Sequence, residues 1–204
     1  MKKTVIGVLL AAGLLVGACG TTPPQSAPAV TTSTAAAATT TSISPAAVAP
    51  PSLAASTPVS VDIPKIGAHS SLVQLGLNAD QTIEVPPVST PMQAGWYKLG
   101  PTPGEIGPAV ILGHVDGNKQ AGIFYRLHEL AAGDKVSVGR QDGSTATFTV
   151  QKVERDAKDA FPTDAVYGDT STADLRVITC GGAFDSKAHS YVDNIIVFAT
   201  LDRA

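Results

Sequence analysis

Between Lys3 and Asp62 the chain has no Asp, Glu, Lys or Arg, and no aromatic residue comes before Trp96. Such a stretch cannot offer one face to a core and a charged face to water, so the folding unit must follow it. From Thr21 to Pro58, 33 of 38 residues are Ser, Thr, Pro or Ala. That is the composition of a tether, with a reach on the order of 120 Å when extended and roughly 35 Å as a flexible coil. Its Ser/Thr density also permits O-glycosylation. The segment from Val59 to Ala204 is then long enough to bury a core of its own without disulfides or metal.

The residues before the tether have the form of an address. Met1-Lys2-Lys3 is positive, Val5 to Val16 is apolar, and Val16-Gly17-Ala18-Cys19 closes the run with small residues and a cysteine. A signal peptide over 1–19 is expected. The apolar run is short for a membrane span, which needs about 20 residues. Small residues ending in cysteine resemble a bacterial lipobox. That resemblance implies diacylglycerol on Cys19 and a chain held by lipid at the extracellular face of the plasma membrane. Three parts follow: signal peptide 1–19, linker 20–58 and a folded domain 59–204.

If Cys19 is lipidated, Cys180 has no partner in the chain, and exported proteins seldom keep a lone thiol. A lone thiol is either a small core residue or a reactive nucleophile, and its surroundings must decide. Without Lys2 and Lys3, 12 basic residues face 17 acidic ones, a formal charge of −5, with no basic run. This balance argues against nucleic acid as a partner.

After Pro58 the texture becomes short β-branched stretches between turn residues. Strands are expected over 59–63, 71–75, 82–85, 109–115, 135–138, 145–153, 175–179 and 195–199, with Asp142-Gly143 as a hairpin turn. Helical pattern is scarce, with a turn or two over 123–130 and another over 157–160. Eight short strands predict an all-β fold, a closed barrel with short helices in its connections.

Three segments end a strand with chemistry. Pro108 to Leu112 leads to Gly113-His114-Val115-Asp116; Leu175 to Thr179 leads to Cys180-Gly181-Gly182; and Tyr191-Val192-Asp193-Asn194 opens a strand running to Ala199. A cysteine acyl transfer needs a thiol, a nearby imidazole and a donor for the oxyanion, and strand ends can hold such groups rigidly yet open to substrate. His114 and Cys180 lie 66 positions apart, so any pairing is tertiary. His69, His128 and His189 have no comparable context. The Gly181-Gly182 pair lacks the spacing of a phosphate loop, and no C-x-x-C, H-E-x-x-H or calcium-loop motif exists, so neither cofactor nor metal is expected.

The strand ending Ile178-Thr179-Cys180, with Gly113-His114 upstream, resembles sortases. Further pieces look like class F sortases in particular: Ile63-Pro64-Lys65-Ile66-Gly67, Gly95-Trp96-Tyr97, Pro103-Gly104-Glu105, Phe124-Tyr125-Arg126-Leu127 and Phe184-Asp185, in order through the domain. The resemblance implies an eight-stranded sortase barrel that cuts an L-P-x-T-G-like sorting signal. Cys180 would form a thioester with the threonine carbonyl and His114 would act as acid and base. A cell-wall precursor amine or a protein lysine would then take the acyl group. Thr179 and Asp116 are expected at the substrate; Asp116 could instead orient His114 or serve only its turn with Gly117.

The family's third catalytic residue is an arginine on the strand after the cysteine, and no arginine lies between Gly181 and Thr200. Arg126 and Asn194 rank level for that role, with Arg176 third. The missing arginine also supports an alternative, a non-catalytic sortase-like lipoprotein that binds cell-wall material or a protein. The residue order fits neither L,D-transpeptidases, with their S-H-G-C segment, nor NlpC-like peptidases, where Cys precedes His.

Overall fold

The computed structural model describes residues 49–203. The signal peptide, Cys19 and most of the tether lie outside them. Ten strands are present: β1 (Pro58–Ile63), β2 (Ala68–Leu75), β3 (Ala94–Tyr97), β4 (Gly107–Gly113), β5 (Asp116–Gly117), β6 (Gln120–Ala121), β7 (Lys135–Arg140), β8 (Thr145–Ala157), β9 (Ala173–Asp185) and β10 (Ser190–Leu201). Eight close a barrel in the order β1-β2-β3-β4-β9-β10-β8-β7, while β5 and β6 form a separate small hairpin. The β2–β3 and β4–β9 pairs are parallel, and the rest of the barrel is antiparallel. The expected closed all-β barrel is therefore the fold.

Alternation along the strands sorts side chains between two apolar layers. Ala109 and Ile111 of β4, Leu175 and Val177 of β9, and Ile195 and Val197 of β10 fill the barrel with Phe124 and Phe148. Val110, Ile178, Ile196 and Phe198 point outward, where they form a second cluster covered by Tyr97, Phe161 and Tyr167. Tyr97 ends β3, while Phe161 and Tyr167 come from the β8–β9 connection, which holds a 3-10 turn (Lys158–Ala160) and a short helix, α1 (Thr163–Tyr167). Arg176 ties it down: Nε donates to Ala165 O at 3.2 Å, Nη2 to Asp174 at 3.3 Å, and the guanidinium lies 4.7 Å from the Phe198 ring centre.

The structure departs from the sequence reading at the third strand. Residues 82–85 make only an isolated bridge, Leu77 with Ile83, because Pro86 and Pro87 follow and cannot donate to a ladder. The barrel strand is instead Ala94-Gly95-Trp96-Tyr97, whose glycine lies under Leu75; a Cβ there would come within 2.6 Å of the Leu75 side chain. At the amino-terminal end, residues 53–57, read as tether, are docked on the barrel. Leu53 N donates to Gly104 O at 2.7 Å, Gln141 N to Thr57 O at 2.8 Å, and Arg140 reaches Ala54 O. The Asp142-Gly143 turn forms as expected, with Gly143 at φ 83° and Asp142 Oδ1 accepting from Ser144 N at 2.9 Å. The helical turn expected over 123–130 narrows to a 3-10 turn at Leu127–Glu129.

Two packing features hold the ends of β4 and β10. Gly113 closes β4 directly against Ile123 and Phe124, where an added Cβ would lie 2.5 Å from the Phe124 ring. Phe124 N also donates to His114 O at 3.0 Å. The Tyr191 hydroxyl donates to Asp116, clasping the start of β10 to the β5–β6 hairpin. That bond, then burial and the Asp116 charge, push the Tyr191 phenol up to about 12.

Phe124→Ala should cost roughly 3–5 kcal/mol and Gly113→Ala about 1–3 kcal/mol, read as shifts in the urea midpoint at unchanged slope. The Tyr191 clasp favours the neutral phenol, so its contribution is complete below pH 10 and fades as pH rises to about 12. Tyr191→Phe should therefore flatten the fall in stability across that alkaline window, measured by denaturation at stepped pH.

Candidate active site

The β4–β9 ladder pairs Gly107 with Ala173 and continues to Leu112 with Ile178, a constant offset of 66. His114 and Cys180 differ by the same 66 and so stand two positions beyond the last pair of this ladder, His114 just past the end of β4 and Cys180 within β9, which runs on beside β10 to Asp185. Alternation gives both the parity of the outward-facing Val110 and Ile178. On the other side of β9, Asn194 of β10 is the direct register partner of Cys180. One end of the barrel thus gathers three of the residues singled out in the sequence. Each of the three is half-buried.

The bend that opens this end is built into the glycines. Between Tyr191 and Asp193 the β9–β10 register shifts by one residue, and Gly182 sits at φ 79°, the left-handed conformation a bulge of this kind uses. Gly181 lies flat against Ile195, where a Cβ would come within 2.8 Å. The Gly-Gly pair after the cysteine therefore shapes the strand.

His114 is held from two directions. Its carbonyl accepts from Phe124 N, and Gly122 passes so close to it that no Cβ would fit. On the ring, Nε2 lies 2.5 Å from Pro86 O. A carbonyl only accepts, so in this pose Nε2 carries the hydrogen and Nδ1 is the nitrogen left to take a proton.

Cys180 is the free cysteine of the described residues. The polar contact to its sulfur is made by a residue that sequence reasoning passed over. Lys158 Nζ, on the 3-10 turn after β8, lies 3.5 Å from Cys180 Sγ and 2.7 Å from Ser190 Oγ. In sequence Lys158 is one unremarkable cation in a turn between Ala157 and Ala160. Only the β8–β10–β9 order, with Ala157 opposite Asp193, carries it over the cysteine.

The other expected residues fall elsewhere. Arg126 is not at the sulfur: it is exposed and grips Glu129 with Nε at 2.9 Å and Nη2 at 2.6 Å. That pair raises the Arg126 pKa and lowers that of Glu129. Arg176 is consumed by Asp174 and α1; burial works to lower its pKa and Asp174 opposes this. Thr179 points inward at 3% exposure, its hydroxyl is buried with no hydrogen-bond partner among the described residues, and it borders a cavity at the barrel mouth together with Cys180. Asp116 is bonded to Tyr191, and its hairpin lines an open groove with Tyr125 and Phe184. A further arginine, Arg155, shares a cavity of about 340 Å³ at the barrel mouth with Thr179 and Cys180, but its Nε is bound to Asp193 at 2.5 Å.

On the outer face a groove of about 1090 Å³ runs up to this site. Val110 and Asn194 form its floor, Phe161 and Tyr167 one wall, and Tyr97, Ile83 and Leu99 the other, with Lys158 at its edge. Apolar walls that end at an ammonium and an amide, each of which is also a neighbour of Cys180, suit an extended peptide. Among the described residues no group of three or more His, Cys, Asp or Glu side chains could hold a metal ion.

The sortase domain family model matches residues 61–202. No curated protein sequence matches the chain. In three dimensions it is similar to a Clostridium perfringens Sortase D5 transpeptidase, with 20% identity over 72% of this chain and 79% of that one and a TM-score of 0.53. It is also similar to sortase A from Corynebacterium diphtheriae, with 20% identity, coverage of 71% and 60%, and a TM-score of 0.55. Streptococcus agalactiae sortase C1, in a complex with MTSET, gives 18% identity, coverage of 71% and 67%, and a TM-score of 0.54. These likenesses bear on the fold, and the family match rests on the sequence from the first barrel strand to the last: the chain belongs to the sortase domain family.

Proposed function

We propose that the chain is a cysteine transpeptidase that cleaves an L-P-x-T-G-like sorting signal through a thioester on Cys180. The observation that carries this reading is the shared offset of 66, which brings His114 and Cys180 to equivalent positions just past the parallel β4–β9 ladder, with Asn194 and Lys158 linking Cys180 to an apolar outer groove. His114 takes the Cys180 thiol proton, the sulfur attacks the threonine carbonyl carbon, a C–S bond forms, and the carbonyl pair moves to oxygen. As the tetrahedral intermediate collapses, the C–N bond breaks and protonated His114 gives its proton to the leaving amine. An incoming amine from a cell-wall precursor or a protein lysine, deprotonated by His114, then attacks the thioester; the C–S bond breaks and the leaving sulfur takes the proton back from His114. Release of His114 from Pro86 O is part of this cycle, because the same ring must turn toward the scissile bond. The order of its motifs favours class F among sortases.

The residues outside the described region complete the reading. The positive start, apolar run and Val16-Gly17-Ala18-Cys19 support signal-peptide cleavage and lipid attachment at Cys19, with the Ala/Ser/Thr/Pro tether holding the barrel off the membrane.

Incubation of the chain with L-P-x-T-G-type peptides and a small amine should yield a peptide thioester on Cys180 and an amine-joined product by mass spectrometry. Cys180→Ala should give neither. His114→Ala should lower turnover by about 10²–10⁴-fold. A folded wild-type chain forming no adduct with any such peptide would overturn the transpeptidase. In cells, lipid label should enter the chain and be lost in Cys19→Ser; equal labelling of both would contradict the anchor.

A further inference from the structure

The sortase resemblance calls for a cation at the oxyanion, and the strand after the cysteine carries no arginine. Around the site, the guanidinium groups of Arg126, Arg155 and Arg176 each grip a carboxylate, that of Glu129, Asp193 and Asp174 respectively. Lys158 is placed differently. Its ammonium has the Cys180 sulfur at 3.5 Å and the Ser190 hydroxyl at 2.7 Å as hydrogen-bond partners. Ser190 Oγ in turn donates to Tyr191 O at 3.3 Å, which leaves an oxygen lone pair to receive the ammonium and fixes its direction. Lys158 also stands at the edge of the apolar groove, on the same outer side as Asn194.

We propose that Lys158 is a catalytic residue of this chain, supplying from the β8–β9 connection the positive charge that its relatives take from the strand after the cysteine. Whenever the sulfur is ionised, the ammonium is its counter-ion. Once Sγ has bonded to the threonine carbonyl carbon, the charge passes from sulfur to the carbonyl oxygen, which lies two bonds beyond the atom the ammonium already touches. A flexible four-carbon stem lets Nζ follow it and donate, with Ser190 retaining one of its three hydrogens. When the intermediate collapses the charge leaves the oxygen, and the ammonium returns to the sulfur after deacylation. No proton is transferred to or from Lys158. This inference rests on the transpeptidase reading for the oxyanion step, but not for the contact with sulfur.

The test uses the full chain as wild type, Lys158→Gln and Lys158→Arg, with thermal melts to confirm folding and every readout made on the Cys180 peptide by mass spectrometry, so that Cys19 does not contribute. Alkylation by anionic iodoacetate is compared with neutral iodoacetamide at one pH, which cancels the fraction of ionised thiol. A cation about 4 Å from the sulfur should favour the anionic reagent by about fivefold; Lys158→Gln should lose that preference and Lys158→Arg keep it. With peptide, Lys158→Gln should lower the acylation kcat by about 10²-fold or more at little change in KM, with partial rescue by Lys158→Arg. An unchanged reagent ratio in Lys158→Gln, or an acylation kcat within twofold of wild type, overturns the proposal. Absence of acylation in the wild type overturns the transpeptidase and the oxyanion role together, while the reagent ratio still decides whether Lys158 acts on the sulfur.

Discussion

The parallel ladder between β4 and β9 is the contact on which the site depends. Parallel strands in register carry equal positions forward together, so a fixed offset of 66 along the ladder delivers His114 and Cys180 to the same barrel end. Antiparallel neighbours would have sent them to opposite ends. Holding two such strands adjacent requires a barrel that closes around them, and Val177, Ile111 and Val197 fill its interior behind these two residues. The outward parity of Ile178 and Cys180 then faces the thiol toward a groove, away from the packed core.

Around that ladder, small residues decide where chains approach. Gly113 lets Phe124 pack against the end of β4, Gly122 passes the His114 carbonyl, and Gly182 takes the left-handed turn of the β9–β10 bulge. The result is a strand end rigid at the backbone and open at the side chain, the condition a positioned nucleophile needs. The β8–β9 connection adds the outer wall through Phe161 and Tyr167, and it is anchored by a buried Arg176–Asp174 pair. The arginine ranked third for catalysis thus holds the wall in place.

The barrel and its reactive strands were legible because their signals are local. Ala109 to Leu112, Thr145 to Val150 and Leu175 to Thr179 alternate or run apolar between turn residues, and the Asp142-Gly143 turn carries its own conformational requirement. The strand Ala94–Tyr97 was hidden because what makes it a strand is the fit of Leu75 over Gly95, a tertiary contact. The segment 82–85 looked like a strand by composition, yet the two prolines after it forbid a ladder. Site residues divide the same way. His114 and Cys180 announced themselves at the ends of apolar runs, whereas Lys158 reaches the sulfur through strand order and a 3-10 turn that no spacing rule encodes. Arg126 lost its assigned place to a local ion pair with Glu129, three residues on along its own turn.

The most direct measurement of the central claim is a crystal structure of the chain with a sorting-signal peptide aldehyde trapped on Cys180. The account predicts a peptide lying in the outer groove between Phe161 and Tyr97, its hemithioacetal oxygen within hydrogen-bond distance of Lys158 Nζ, and the His114 ring turned away from Pro86 O toward the leaving-group side. A peptide seated instead in the barrel mouth beside Arg155, or a Cys180 left unmodified while the thiol elsewhere reacts, would contradict it.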